Sequence, residues 1–168
     1  YGVWWQNIPK EYRQHLSING DITVELDFSS FPPRMVYHLS GAEMVGDPYV
    51  GIGDLDRKHG KALFNIMINA ADEDAAYGAY REEFREEFQE ERVTKAETKE
   101  AIDAVRDKHQ AISKEFYTGV GLKLMNYDSQ IANNVMLKAI DEYQTVILPL
   151  HDSFICITEF EKILRQLM

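Results

Sequence analysis

The chain has 168 residues, is 45% hydrophobic and 11% aromatic, and carries a net charge of −10. That length and apolar content suit one globular domain with a real core and exclude a disordered chain. The single Cys156 excludes an intramolecular disulfide and a cysteine-based zinc cluster, and no apolar run reaches membrane-spanning length. The acidity argues against a generally basic nucleic-acid-binding surface, but it is uneven. Residues 71–116 hold 14 acidic and 8 basic residues, so most of the excess charge sits in one segment. The opening sequence reads as mid-domain, and the chain is expected to be an excerpt of a longer protein. The one cysteine fits a cytoplasmic setting.

In chain order, "IPKEYRQHL" (8–16) reads as a short helix with Pro9 in its first turn. "NGD" (19–21) marks a turn, and "ITVELDF" (22–28) alternates as a half-buried strand. Its apolar face is Ile22, Val24, Leu26 and Phe28, and Glu25 and Asp27 share the other. Pro32 and Pro33 stop it and open a helix through Leu39. A Gly-rich loop leads to a helix over 55–70, where Arg57 and Lys61 stand one turn apart. Residues 72–116 read as an acidic helical hairpin, whose second helix starts at the capping box "TKAE" (94–97). Tyr80, Phe84 and Phe88 are helix packing, and "REEFREEFQEER" (81–92) is a solvated face. A further amphipathic helix covers 128–143, with Ile131, Val135, Met136, Ala139, Ile140 and Tyr143 on its apolar side. "VILPLHDSFICI" (146–157) is a β-hairpin with His151-Asp152 at its turn, and "TEFE" (158–161) reads as another capping box before a last helix. The expected class is α+β, a small, mainly antiparallel sheet surrounded by helices.

Asp27 ends one strand and Asp152 lies on a hairpin turn, so one sheet can bring them together. Two carboxylates a few ångströms apart repel, and a divalent cation between them removes that penalty. Oxygen ligands suit Mg²⁺ or Mn²⁺, and a pair of such ions serves in-line phosphoryl transfer. Arg57 and Lys61 then supply a fork and a point charge for phosphate.

"VELDFSSFPPRMVYHLSG" (24–41) resembles motif A of the family A DNA polymerases and of the single-subunit phage and mitochondrial RNA polymerases, with Asp27, Arg34 and "HLSG" in place. "RKHGKALFNIMINA" (57–70) is similar to motif B of that superfamily, and "LPLHDSFIC" (148–156) to motif C. "NYDSQIANNVMLKAI" (126–140) resembles the helix that precedes motif C. Together the motifs are spread over about 130 of the 168 residues, in the family's order. The resemblance implies a polymerase-type palm spanning 1–168, with 57–70 as the fingers-type nucleotide-binding helix and 72–116 as an inserted hairpin. It implies Asp27, Asp152 and the Phe28 backbone carbonyl as ligands of two Mg²⁺ (or Mn²⁺) ions. Arg57, Lys61, Asn65 and Asn69 would bind the incoming nucleotide, Lys61 would protonate the leaving pyrophosphate, and His151 and Arg34 would support the site.

The implied activity is template-directed nucleotidyl transfer, with a nucleic-acid primer and template, nucleoside triphosphates and further domains of the same chain as partners, and no membrane. The alternatives are a palm that kept its fold as a nucleic-acid-binding or protein-interaction module, and a non-templated nucleotidyltransferase. Where the DNA polymerases carry a sugar-selecting Glu stands Pro32, and Asn69-Ala70 replaces their aromatic-Gly pair. Ser153 follows Asp152 as in the RNA polymerases.

Overall fold

A computed structural model describes residues 3–85 and 94–168. The chain divides into two compact units, Tyr1–Phe31 with Asn126–Met168, and Pro32–Met125. The class is α+β, as the sequence implied: helices and one small sheet whose neighbouring strands all run antiparallel.

The first unit holds that sheet, in the order β1 (Ser17–Ile18), β2 (Asp21–Asp27), β4 (Ser153–Ile157) and β3 (Leu148–Leu150). Asn19 and Gly20 have φ of 56° and 94°, the two left-handed residues that a tight primed hairpin turn requires. The "NGD" turn therefore folds β1 onto β2, and the two-residue β1 is too short to show as a strand in the sequence. The alternation of β2 holds from Val24 to Phe28, but Ile22, expected on the apolar face, is 76% exposed, because there β2 pairs with the two-residue β1 and the ladder to β4 starts only at Thr23. Leu26 pairs with Phe154 and Val24 with Cys156, so these side chains share one face. Beneath them pack Val135 and Ala139 of α6 (Val120–Tyr143), and Phe160 with Leu164 of α7 (Glu161–Leu167). Fully burying a side chain such as Leu or Phe stabilises by about 1.5–3 kcal/mol, which makes this face the anchor of the hairpin.

Three further expectations are corrected in this unit. Ile140 is 49% exposed, because the buried line of α6 runs through Val135 and Ala139 and the next residue is carried about 100° round the helix. Thr158 does not cap α7: its hydroxyl donates to the Ile22 carbonyl at 3.1 Å, and a 3₁₀ turn over Thr158–Phe160 precedes the helix. The first helix is shorter than 8–16: α1 spans Lys10–Arg13, after extended Pro9. Pro149 lies on edge strand β3, where a missing N–H costs no ladder bond. Its carbonyl accepts from Trp5 Nε1 at 3.1 Å and from the Gln6 amide at 3.3 Å, so Trp5 anchors the N-terminal segment.

The second unit is helical: most of α2 (Phe31–Leu39), then α3 (Arg57–Asn69), α4 (Glu73–Glu83) and α5 (Lys95–Lys108). Asp56 and Asp72 cap α3 and α4 by accepting from the His59 and Ala75 N–H groups, both at 2.8 Å. The capping box at Thr94 and Glu97 is present, which fixes the start of the hairpin's second helix. Tyr80 and Phe84 are buried as expected, while Phe88 and much of 81–92 lie outside the described residues. His59 bonds the Tyr80 hydroxyl and stacks on Phe84 at 4.1 Å, a packing role. Among the described residues no helix is long and apolar enough to cross a membrane.

His109 is 1% exposed, enclosed by the rings of Tyr37, Phe64 and Phe116. Its Nε2 lies 2.9 Å from the Pro48 carbonyl and its Nδ1 3.0 Å from the Tyr37 hydroxyl. A carbonyl only accepts, so Nε2 carries the hydrogen and Nδ1 accepts from Tyr37. Burial pushes the imidazole pKa down to about 4.

Gly60 lets α3 approach the preceding loop. A Cβ there would lie 2.7 Å from the Tyr49 carbonyl oxygen, backbone that cannot yield cheaply. Gly60→Ala is expected to cost about 1–3 kcal/mol, as overpacking does. Gly78 on α4 has open space around it, so Gly78→Ala is expected to stabilise by about 0.5–1 kcal/mol. Urea melts of both variants check this pair, and equal effects would contradict it.

Candidate two-carboxylate site

In the first unit, β2 and β4 bring Asp27 and Asp152 together. Asp27 pairs directly with Ser153, and the Phe28 N–H donates to the Asp152 carbonyl at 2.9 Å. The end of β2 is thereby tied to the hairpin turn, and the Phe28 backbone follows the pair. Leu150 and Ser153 close the turn around His151 and Asp152, with His151 in the left-handed region at φ 51°. A non-glycine residue there costs about 1–2 kcal/mol, strain of the kind that surrounding structure must hold. Asp27, His151 and Asp152 are all exposed. Asp152 therefore avoids the desolvation cost that its apolar flanks suggest: the strands are buried, and the turn carries the carboxylate out of them.

Two acidic residues near the pair were not among the expected site residues. Glu25 is on the Asp27 face of β2; it accepts from Arg13 Nη1 at 3.2 Å and from the Ser153 hydroxyl at 3.0 Å. Period-two alternation alone places it on that face. Asp128, on the part of α6 in this unit, has its carboxyl held above the usual range by burial and then by the charge of Asp152, with His151 acting in the opposite direction. Its helix reads as an apolar stripe with polar filler, and nothing in that pattern points at the turn.

Among the described residues no set of three or more His, Cys, Asp or Glu side chains is arranged for a metal ion. The two exposed carboxylates nevertheless fit Mg²⁺ or Mn²⁺. Such ions take hard oxygen ligands, keep several waters, and complete their shells from carbonyl and phosphate oxygens.

In the second unit, α3 carries Arg57, Lys61, Asn65 and Asn69 at four-residue spacing, one side of the helix. Arg57 is engaged: its Nε donates to Asp47 Oδ2 at 2.9 Å, and its guanidinium lies over the Tyr49 ring at 5.2 Å. That bond holds the Asp47 carboxyl below the usual carboxylate range. Lys61 is exposed and has no ion-pair partner among the described residues. Asn69 donates to the Asn65 carbonyl at 2.8 Å, so its amide is turned back onto the helix. It also fills the space beside Gly121, where a Cβ would collide with it. The Asn65 side-chain oxygen is buried without a hydrogen-bond partner, at a groove of about 500 Å³ that Ala62, Asn69, Ala75 and Glu83 also line. Arg34 is exposed on α2.

Compared with family models, with curated proteins and with solved structures, the chain finds no match.

Proposed function

We propose that the chain is a polymerase-type palm carrying out template-directed nucleotidyl transfer. The observation that carries this reading is the placing of Asp27, at the end of β2 and opposite Ser153, beside Asp152 of the hairpin turn, with both residues exposed and the turn tied to β2 by the Phe28 N–H to Asp152 carbonyl bond. The ordered resemblance of three motifs supports it. Asp27, Asp152 and the Phe28 carbonyl would hold two Mg²⁺ or Mn²⁺ ions. Bound there, the ions would lower the pKa of an attacking 3′-hydroxyl and neutralise charge on the leaving pyrophosphate. Arg57 and Lys61 would grip the triphosphate, and Lys61, exposed and unpaired among the described residues, would give its proton to the departing pyrophosphate. Asn65 and Asn69 would line the nucleotide, and His151 and Arg34 would orient the site. A primer–template, nucleoside triphosphates, further domains of the same chain and a cytoplasmic setting belong to the same proposal.

Mn²⁺ titration followed by electron spin resonance tests it. Binding that is lost in Asp27→Asn and in Asp152→Asn is expected, and equal binding by all three proteins contradicts the reading. A specific observation favours a second reading, a palm retained as a binding module: Arg57 is already engaged by Asp47. If Asp47 merely competes with phosphate for that guanidinium, Asp47→Asn should tighten tripolyphosphate binding about two- to fivefold, the scale of an exposed ion pair. Calorimetric titration checks this, and unchanged affinity would mean that Arg57 does not serve phosphate.

A further inference from the structure

We infer that Arg13, Glu25 and Ser153 form a positioning relay that holds the His151–Asp152 turn in register with Asp27. Its catalytic purpose rests on the polymerase reading; its geometry does not. The relay starts at Arg13, the last residue of α1, whose Nε donates to the Ile8 carbonyl at 3.1 Å and whose Nη1 donates to Glu25 Oε1 at 3.2 Å. The guanidinium is thus fixed from two sides. The same Glu25 oxygen accepts from the Ser153 hydroxyl at 3.0 Å, and that hydroxyl also lies 2.9 Å from the Leu150 carbonyl.

Leu150 and Ser153 are the two residues that bracket the turn. Ser153 has a single hydroxyl hydrogen facing two acceptors, so the proton is shared between the Leu150 carbonyl inside the turn and Glu25 on β2, and the hydroxyl links the two. Ser153 is 4% exposed, and a hydroxyl at that depth without a partner costs about 1–3 kcal/mol. The relay therefore has a firm end in the core. It opposes the strain of a left-handed His151 in a two-residue loop.

The arrangement also separates Glu25 from Asp27. Both point from the same face of β2, yet the Glu25 carboxylate is committed to Arg13 and Ser153, so it acts through the turn rather than as a ligand. Metal stoichiometry should then be the same in Glu25→Gln as in the parent.

The test is amide hydrogen exchange followed by NMR in the parent, Glu25→Gln, Ser153→Ala and the double variant, with Mn²⁺ binding and primer-extension kinetics on the same proteins. The Phe28 N–H, the rung from β2 to the turn, is the reporter. Each single variant is expected to exchange it about tenfold faster, the loss of one or two hydrogen bonds, with the slowest amides of β2 and β4 unchanged. The double variant should be no faster than either single one, because one relay is broken once. Ser153→Thr, which keeps the hydroxyl, should restore slow exchange. The extension kcat should fall with Phe28 exchange while KM for the nucleotide holds. Parental Phe28 exchange in the variants overturns the relay, as does a uniform speeding of all strand amides, which is general destabilisation. Fast Phe28 exchange with parental kcat overturns its catalytic purpose. A parent that neither binds Mn²⁺ nor extends a primer fails the polymerase reading, and the exchange data still decide the relay.

Discussion

Asp152→Asn is expected to lower primer extension about 10²–10³-fold, the cost of removing one preorganised electrostatic group from a reacting centre. The substitution keeps the shape of the side chain at an exposed turn, so unfolding free energy should stay within about 0.5 kcal/mol of the parent. Asp27→Asn is expected to do the same, since Asp27 sits opposite Ser153 on the neighbouring strand. Two residues holding one site act as a unit, so the double variant should lose little more than either single one. Steady-state extension rates beside urea melts check all three. Full extension by a folded Asp152→Asn protein would mean that the carboxylate pair is not the reacting centre.

The second large effect is on stability in acid. His109 is neutral in the fold, with a pKa near 4 against about 6.5 in an unfolded chain. A group whose folded pKa is depressed keeps its full contribution above the unfolded value. Below pH 6.5 the unfolded chain takes up the proton first, and stability falls until about pH 4. Two to three pH units of difference correspond to about 3 kcal/mol lost across that window. His109→Gln has no imidazole to titrate. It should be less stable than the parent at pH 7.5, through poorer hydrogen bonding to Pro48 and Tyr37, and should lose less stability between pH 6.5 and 4.5. Urea melts of the two proteins across that range measure the difference, and parallel pH profiles would contradict it.

Much of this architecture is legible in the sequence because it rests on local pattern. The alternation of 24–28, the apolar runs around His151-Asp152 and the capping box at Thr94 each encode their own geometry within a few residues. Glu25 falls on the Asp27 face by the same period-two rule. Its bond to Ser153 spans 128 positions, however, and appears only once the β2–β4 register is known. The Asp47–Arg57 bond is hidden in the same way, because nothing in a Gly-rich loop announces that Asp47 will fold back onto α3. Thr158 reads as a cap because the sequence hides the competing Ile22 carbonyl. His109 gave no signal at all: a lone histidine at the end of an amphipathic helix acquires its character only from the walls that close around it. Local chemistry was readable, and pairings made by the tertiary fold were not.

The most direct test of the central claim is primer extension by the protein on a defined primer–template with Mg²⁺, using deoxynucleotides and ribonucleotides in parallel. Template-complementary additions with at least one nucleotide set are the predicted result. No incorporation from either set, or additions that ignore the template, would contradict it.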